Sequence, residues 1–425
     1  MKRNYAISSS IALTLAAVAV FVLHMWANSG SGFRLVHNEA FRFEPQPLAM
    51  AAHARRPMVG SSIAGGLYAL TVEGPAENSA LQLRMSHDGG EHWMAPERLT
   101  AANSAVNASS ENAPQLISHA MYTYALWLER STLHDSRILV ARSTGMDDTS
   151  PVGVPVTDPD PTSKAYAGFA SLGLAPNGDV YVVWLDGRDK SAPGTFNVYL
   201  ARSTDKGLSF HKNVKVATDS CPCCRPSIAF GPDGKVYVAY RHVYSDNERD
   251  VAVVTSEDSG DHFRNPVRVN LDRWHLLGCP ESGPVLAVQN GRLIVVWYSA
   301  GSNRAGLRLA QSTDGGRSFR PPFAVDSDVT GANHPYLATT DDGRVALTFS
   351  GRTPSKDGSW GPISSFIVSL SPDGEVTVPQ RVPDSAAVDA HPTVTLDTAG
   401  NAFVATTSGH EDSSTAYLSR ATLVR

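Results

Sequence analysis

The stretch Ser312-Thr-Asp-Gly-Gly-Arg-Ser-Phe319 decides the fold, because its pattern of serine, aspartate, glycine and a closing aromatic residue recurs along the chain. Complete copies also stand at 86–93, 203–210 and 256–263. The serine and aspartate side chains can hydrogen-bond the backbone of a tight turn, and the glycine supplies a positive φ. The aromatic ring can hold that turn against a sheet. The pattern therefore predicts similar turns in a repeated structure.

These turns belong to a larger repeat of about 56 residues, and each unit opens with a β-hairpin. A proline begins the unit, a short apolar strand follows, and a glycine-containing turn leads into a second apolar strand. The opening residues are Pro57, Pro114, Ala170, Pro226, Pro284, Pro335 and Pro392. Seven such units predict an all-β, seven-bladed β-propeller over residues 50–425, with six blades as the alternative.

The Ser-x-Asp-x-Gly-x-x-aromatic pattern resembles the Asp box, or bacterial neuraminidase (BNR) repeat, of the sialidase superfamily of β-propellers. The resemblance covers about residues 50–425, with weakened copies at 143–145 and 371–374. It implies that the turns join the third and fourth strands of a blade, on the face away from the active site. The boxes are then structural. Seven units depart from the six blades of sialidases.

The N-terminal residues predict export. Lys2 and Arg3 precede an almost purely apolar stretch at 6–26, which is typical of a signal peptide or of an uncleaved membrane anchor. We assign 1–27 to this segment, with both readings open, and 28–49 to a linker whose residues 32–43 can supply a strand to the last blade. The body of the protein is expected outside the cytoplasm, periplasmic or extracellular, and attached to the membrane by the N-terminal helix if it is not cleaved.

Composition excludes several classes of protein. The 425 residues are 42% hydrophobic and 18% charged, which excludes a disordered chain and a multi-span membrane protein. Lys and Arg number 36 against 41 Asp and Glu, for a net charge of −5. A nucleic-acid partner is not expected, because the chain offers no overall positive field.

One rim of the predicted propeller collects basic side chains, because inner strands begin and second strands end on the same face. The predicted ligand-binding residues are Arg56, Arg188, Arg225, Arg241, Arg352, His334 and His391. Guanidinium groups bind carboxylates and phosphates through paired N–H bonds, so the ligand is expected to be an acidic glycan or another anion. The alternative is that these arginines pair with acidic residues of the rim.

The resemblance to sialidases also implies catalytic candidates. Sialidases hold the substrate carboxylate with three arginines and use an aspartate as acid/base and a tyrosine nucleophile activated by a glutamate. Asp186 is the acid/base candidate, and Tyr298 with Glu281 is the candidate couple. Arg56 stands where the family's Arg-Ile-Pro motif begins, although the isoleucine is missing. All three catalytic candidates can equally be residues that stabilise the fold. Hydrolysis is therefore predicted only as an addition to ligand recognition.

The cysteines mark a second feature of the rim. Cys221, Cys223 and Cys224 precede the fourth unit, and Cys279 precedes the fifth at nearly the same distance. In an oxidising compartment two disulfides are the default, with a bond between the neighbours Cys223 and Cys224 disfavoured. The alternative is thiolate coordination of copper or zinc, with His242, His334 or His275 as the candidate co-ligand. No other cofactor is expected.

The function predicted from these residues is recognition of an acidic glycan by an exported sialidase-like propeller, with hydrolysis in the manner of an exo-sialidase as its enzymatic form. Two alternatives remain at this point. One is a non-catalytic platform for a protein partner, because fold does not fix function. The other is a periplasmic protein whose cysteine cluster is a metal or redox centre.

Overall fold

The structure, a computed structural model, describes residues 30–62, 65–102, 104–119, 121–132, 135–144, 153–158, 165–190, 192–301, 304–340, 342–355, 359–383, 391–409 and 414–424. The export segment predicted at 1–27 lies outside these residues. Within them, no helix has the length and apolar character needed to cross a membrane. The described elements are strands and three short 3-10 turns, at Ala76–Asn78, Ser110–Asn112 and Ser245–Asn247. The all-β prediction is confirmed.

The strands follow one another as antiparallel meanders. Three short strands come first: β1 (Arg34–Val36), β2 (Phe41–Phe43) and β3 (Leu48–Ala52). The first repeat unit comprises β4 (Ala54–Ser61), β5 (Leu67–Glu73), β6 (Ala80–Ser86) and β7 (Glu97–Arg98). The second comprises β8 (Val106–Asn107), β9 (Gln115–His119), β10 (Tyr122–Thr132), β11 (Asp135–Ser143) and β12 (Val154–Pro155).

The middle units have the same order. The third comprises β13 (Ala167–Leu174), β14 (Val180–Asp186), β15 (Phe196–Ser203) and β16 (Val214–Ser220). The fourth comprises β17 (Ser227–Phe230), β18 (Val236–Val243), β19 (Arg249–Ser256) and β20 (Val267–Arg268). The fifth comprises β21 (Val285–Gln289), β22 (Arg292–Ser299), β23 (Gly306–Ser312) and β24 (Phe323–Ala324).

The last two units receive the N-terminal strands. The sixth comprises β25 (Thr330–Thr339), β26 (Val345–Arg352), β27 (Ser364–Leu370), β28 (Glu375–Thr377) and β29 (Gln380–Arg381), with β1 parallel to β28. The seventh comprises β30 (Thr393–Leu396), β31 (Ala402–Ser408) and β32 (Thr415–Leu423), with β2 and β3 antiparallel to β32. The segment expected to supply one strand at 32–43 therefore supplies strands to two sheets.

The inner strands form a closed ring, as a β-propeller requires. Each contacts the inner strand of the next unit in the order β4, β9, β13, β17, β21, β25 and β30, and β30 returns to β4. Apolar side chains fill the spaces between successive units. At the closure, Val59 and Ala69 of the first unit pack with Ala405 and Leu418 of the last. This packing between the two ends of the chain closes the fold around one axis.

The number of separate sheets differs from the predicted number of blades. The described strands form six hydrogen-bonded sheets, not seven. The reason is one bridge between Ser220 and His242, which joins the outer strand of the third unit to the fourth unit in a single eight-stranded sheet.

The Asp-box turns have the geometry that the sequence predicted. In the copy at 312–319, Ser312 Oγ donates to Asp314 Oδ1 at 2.7 Å and accepts the N–H of Gly316 at 2.9 Å. Gly316 has a φ of 81°. The same pair of bonds recurs in the copies at 86–93, 203–210 and 256–263, with distances of 2.7 to 2.9 Å. Each box follows the third strand of its unit, so these turns lie on one face of the propeller.

Candidate binding site

A cavity of about 680 Å³ is surrounded by the ring of inner strands. We call the end at which these strands begin the entrance end. The charged and imidazole side chains in the cavity wall are Arg56, Glu111, His119, Arg225, His334 and His391. Four of the seven predicted ligand-binding residues, Arg56, Arg225, His334 and His391, are thus brought to one cavity from four different units.

Strained backbone holds two of these side chains at the cavity. Arg56 and His334 have φ values of 49° and 51°, which non-glycine residues seldom adopt. The pairing of β4 with β5 shifts register between Arg55 and Met58, and that of β25 with β26 shifts between Asn333 and Tyr336, the interval that contains His334. Irregular pairing of this kind re-aims a side chain, and strained positions cluster at ligand sites.

Glu111 is the buried carboxylate of the entrance end. Its Oε2 accepts the backbone N–H groups of Arg225 at 3.1 Å and Gly283 at 3.0 Å, and its Oε1 lies 3.6 Å from Nδ1 of His334. Burial opposes ionisation of this carboxyl group, but His334 and Arg225 outweigh burial and hold the pKa of Glu111 below its ordinary value. One ionised side chain of the second unit therefore connects the fourth, fifth and sixth units.

The chain around Glu111 makes further contacts across the entrance end. Asn112 Oδ1 accepts the N–H of Phe169 at 2.7 Å. The carbonyl of Ala113 accepts from Arg225 Nη1 at 3.4 Å, and that of Ala108 accepts from Arg56 Nε at 3.0 Å. Residues 106–113, which we call the bridging segment, thereby hold both cavity arginines by backbone carbonyls. A guanidinium has five N–H donors, so the bond to Ala113 uses only one donor of Arg225.

The two cavity histidines lie against each other. The ring centroids of His334 and His391 are 3.9 Å apart, with the planes tilted by 43°. Imidazole nitrogens donate or accept according to their tautomer and charge. Together with Arg56 and Arg225, the pair gives the entrance end an excess of groups that can donate hydrogen bonds to an anion.

Arg241, another predicted ligand-binding residue, has a structural environment. Its side chain is fully buried, and it donates to the carbonyls of Arg249, Ser282 and Tyr298 at 2.8 to 3.1 Å. Its guanidinium also lies 5.0 Å from the ring centroid of Trp274. Arg241 does not line the cavity; it connects the fourth and fifth units.

The remaining predicted arginines also lie away from the cavity wall. Arg188 donates to the carboxylate of Asp186 through its backbone N–H at 2.8 Å and its Nε at 2.9 Å. Trp184 Nε1 donates to the same carboxylate at 2.8 Å. Arg352 donates to the carbonyl of Gly361 at 2.9 Å. The acid/base candidate Asp186 is therefore buried with both oxygens engaged by its own strand and turn.

The tyrosine–glutamate couple is not brought to the cavity either. Tyr298 packs its ring edge-on to Trp274 with centroids 5.4 Å apart, and its carbonyl accepts from Arg241. Glu281 is exposed and has a φ of 44°. Neither residue lines the cavity. A catalytic role for Asp186, Tyr298 and Glu281 stays a prediction, and these positions do not favour it.

The cysteine cluster lies beside the entrance end. Cys223 and Cys279 form a disulfide with a Cα–Cα distance of 6.1 Å, joining the fourth and fifth units. Cys221 and Cys224 are buried thiols, and the Sγ atoms of Cys221, Cys223 and Cys224 all lie within 4.8 Å of one another. In the part of the chain that the structure describes, this group of sulfurs includes no histidine nitrogen, so His242, His334 and His275 are not placed as co-ligands.

The two thiols differ electrostatically. A hydrogen bond from Cys224 and the guanidinium of Arg249 lower the pKa of Cys221 to about 6. Burial raises the pKa of Cys224. Nη1 of Arg249 donates to the sulfur of Cys221 at 3.1 Å. The arrangement favours one thiolate, with a buried guanidinium as its counter-charge.

Glu111 was not among the residues predicted from the sequence, because for the second unit only the residue immediately before the opening proline was expected at the rim. Glu111 stands three positions before Pro114, as Glu281 stands three positions before Pro284. An acidic residue at that offset was the available signal. Only the fold shows that the first is buried at the ring axis and the second is exposed.

Comparison with known proteins bears on the repeat and the fold. Residues 188–347 match the family described as a BNR repeat-like domain. No curated protein matches the sequence. A protein of unknown function from Dyadobacter fermentans is similar in structure, with a TM-score of 0.55 and 14% identity over 91% of this chain and 100% of that chain.

Two enzymes are more distant in structure. An alpha-L-arabinofuranosidase from Fusarium graminearum, solved with an iminosugar inhibitor, has a TM-score of 0.48 and 18% identity over 77% of this chain and 96% of its own. A Hadza microbial sialidase has a TM-score of 0.46 and 15% identity over 88% of this chain and 66% of its own.

Proposed function

We infer that this chain, a β-propeller carrying BNR repeats of the sialidase-like kind, binds an acidic saccharide at the entrance end of its central cavity. The observation that carries the proposal is the convergence of Arg56, Arg225, His334 and His391 on one cavity wall. A cavity of about 680 Å³ is in the usual size range of small-ligand sites.

The charge balance of the entrance end supports an anionic ligand. Two guanidinium groups face one carboxylate, that of Glu111, and this carboxylate already accepts two backbone N–H groups. A carboxylate on the ligand would receive paired N–H bonds from an arginine within a concave site, where such bonds are strong.

Recognition is better supported than hydrolysis. Glycosidases place two reacting groups across the scissile bond, and the candidates Asp186, Tyr298 and Glu281 do not line the cavity that holds the arginines. We therefore propose a binding protein and make turnover an outcome of the test.

The third and fourth units pack face to face, with Val183 and Leu200 against Val238 and Val254. This packing supports counting the eight-stranded sheet as two blades and the propeller as seven-bladed.

The apolar stretch at 6–26 supports export of the propeller to a location outside the cytoplasm.

The test is binding of N-acetylneuraminic acid and glucuronic acid to the full-length protein, measured by calorimetry with N-acetylglucosamine as the neutral comparison. We expect the acidic sugars to bind and the neutral sugar to bind at least about tenfold more weakly. Arg56→Ala and Arg225→Ala should each weaken acidic-sugar binding by about tenfold to a hundredfold, because each removes a charge-assisted hydrogen-bond donor.

Arg264→Ala is the matched control, because Arg264 is exposed and pairs with Glu257 beside an Asp box. It should leave affinity unchanged. Equal affinity for acidic and neutral sugars, or equal losses in Arg225→Ala and Arg264→Ala, would overturn the proposal. Turnover of a fluorogenic sialoside that disappears in Tyr298→Phe would replace it with the hydrolase hypothesis.

A further inference from the structure

The cysteines outside the disulfide have no role in the proposed saccharide site. Cys221 and Cys224 are fully buried, and their sulfurs lie within 4.8 Å of each other. We propose that these two side chains bind one Cu(I) ion as a two-coordinate dithiolate.

The number and type of available ligands select the metal. Cys223 belongs to the same group of sulfurs but is bonded to Cys279, so two thiol sulfurs remain. A structural zinc site takes four ligands in tetrahedral geometry, which this group does not supply while the disulfide is intact. Soft thiolate ligands select Cu(I), and Cys221 and Cys224 are two ligands of this kind.

The charge of the complex is compensated within the fold. Cu(I) and two thiols give a dithiolate complex of charge −1 and release two protons, with no change in oxidation state. A buried anion needs a counter-charge, because an unpaired charge in a protein interior is costly. Arg249 supplies it: this residue is nine-tenths buried, and its Nη1 donates to Cys221 Sγ at 3.1 Å.

The competing chemistry is a second disulfide. Oxidation of Cys221 and Cys224 would form an S–S bond with loss of two protons and two electrons to an oxidant such as a small disulfide. Both sulfurs are shielded from solvent, which slows attack on a bulky disulfide more than capture of a single ion. The test separates the two chemistries.

Full-length protein, prepared under oxygen-free conditions without a reductant, is titrated with Cu(I) in competition with a chromophoric Cu(I) chelator. We expect one Cu(I) per chain and an X-ray absorption spectrum with sulfur ligands only. Cys221→Ser and Cys224→Ser should each weaken binding by more than about a hundredfold, since even outer-shell changes at metal sites cost ten- to a hundredfold. The double variant Cys223→Ser/Cys279→Ser is the matched control and should still bind one Cu(I).

Circular dichroism and thermal unfolding of each variant show that a loss of copper binding is not a loss of fold. If a serine variant fails to fold, mass spectrometry of alkylated wild-type protein decides the question instead. Two alkylated thiols that become protected by Cu(I) support the site. No free thiol after unfolding, or copper uptake unchanged in Cys221→Ser/Cys224→Ser, overturns it.

Discussion

Contacts in the Asp-box turns join residues that are close in the sequence, whereas contacts at the entrance end of the cavity join residues that are far apart in it. In the box at 256–263, Ser256 bonds Asp258 and Gly260, which are two and four residues away. At the entrance end, Glu111 bonds Arg225 and Gly283, which are 114 and 172 residues away. The first kind of contact recurs in four near-identical copies, whereas the second joins units that are far apart in the sequence.

This difference separates the repeated turns from the contacts that are specific to the entrance end. The bonds of the box serine lie within its own turn, so their loss weakens one unit. The carboxylate of Glu111 accepts hydrogen bonds from the fourth and fifth units at once, so its loss leaves a donor without its acceptor in each of them. Three substitutions test the comparison, from the largest expected effect to the smallest.

Glu111→Ala is expected to have the largest effect on stability. Removing one member of a buried, hydrogen-bonded charge pair costs about 3–5 kcal/mol of unfolding free energy, because its partners stay buried and uncompensated. Urea unfolding of the variant and the wild type measures this difference. Glu257→Ala is the control: Glu257 is half-exposed and pairs with Arg264, so its loss should cost under about 1 kcal/mol.

Equal losses of unfolding free energy in Glu111→Ala and Glu257→Ala would contradict the difference between the entrance end and the Asp-box turns.

Acid unfolding is a second test of the Glu111 carboxylate. The pKa of Glu111 lies below its ordinary value of 4.5, so its charged form stabilises the fold above that pH. This contribution is lost as the pH falls from about 4.5 through the lower folded pKa. The wild type should therefore lose more stability on acidification than Glu111→Gln.

Asp186→Asn should have an intermediate effect. The buried Asp186 carboxylate accepts from Trp184 Nε1 and twice from Arg188, and the amide nitrogen of asparagine would face one of these donors. Loss of charge-assisted bonds at a buried site predicts about 2–3 kcal/mol of destabilisation in urea unfolding.

Asp189→Asn provides the comparison for this substitution. Asp189 is largely exposed and lies 3.7 Å from Lys215, so its replacement should change the unfolding free energy by less than about 0.5 kcal/mol. If Asp186→Asn instead unfolds like the wild type but removes a measurable turnover, the structural interpretation of Asp186 is wrong.

Ser312→Ala should have the smallest effect. It removes the acceptor of the Gly316 N–H and the donor to Asp314, at a cost of about 1 kcal/mol. Because the boxes belong to separate turns, Ser203→Ala combined with Ser312→Ala should cost about the sum of the two single losses in chemical unfolding. A double loss far from that sum would show that the boxes do not act independently.

Much of the fold could be predicted because its signals are local. The Ser312–Phe319 turn and the paired apolar strands are encoded within a few residues each, and the period repeats them around the axis. Four of the predicted ligand-binding residues reach the cavity because each directly precedes an opening proline. Arg188 follows its second strand, and Arg241 and Arg352 lie in the last residues of theirs. Their side chains bond nearby carboxylate and carbonyl groups.

The sequence by itself determined the all-β repeat and its turns, because these depend on hydrogen bonds and apolar patterns that span only a few residues. Only the tertiary structure decided that Glu111 meets His334 at the axis and that Cys223 pairs with Cys279. It also decided that the third and fourth units share one sheet. These pairings join distant parts of the chain, and they depend on the order of units around the ring and on the register of strands, which no short stretch of sequence encodes.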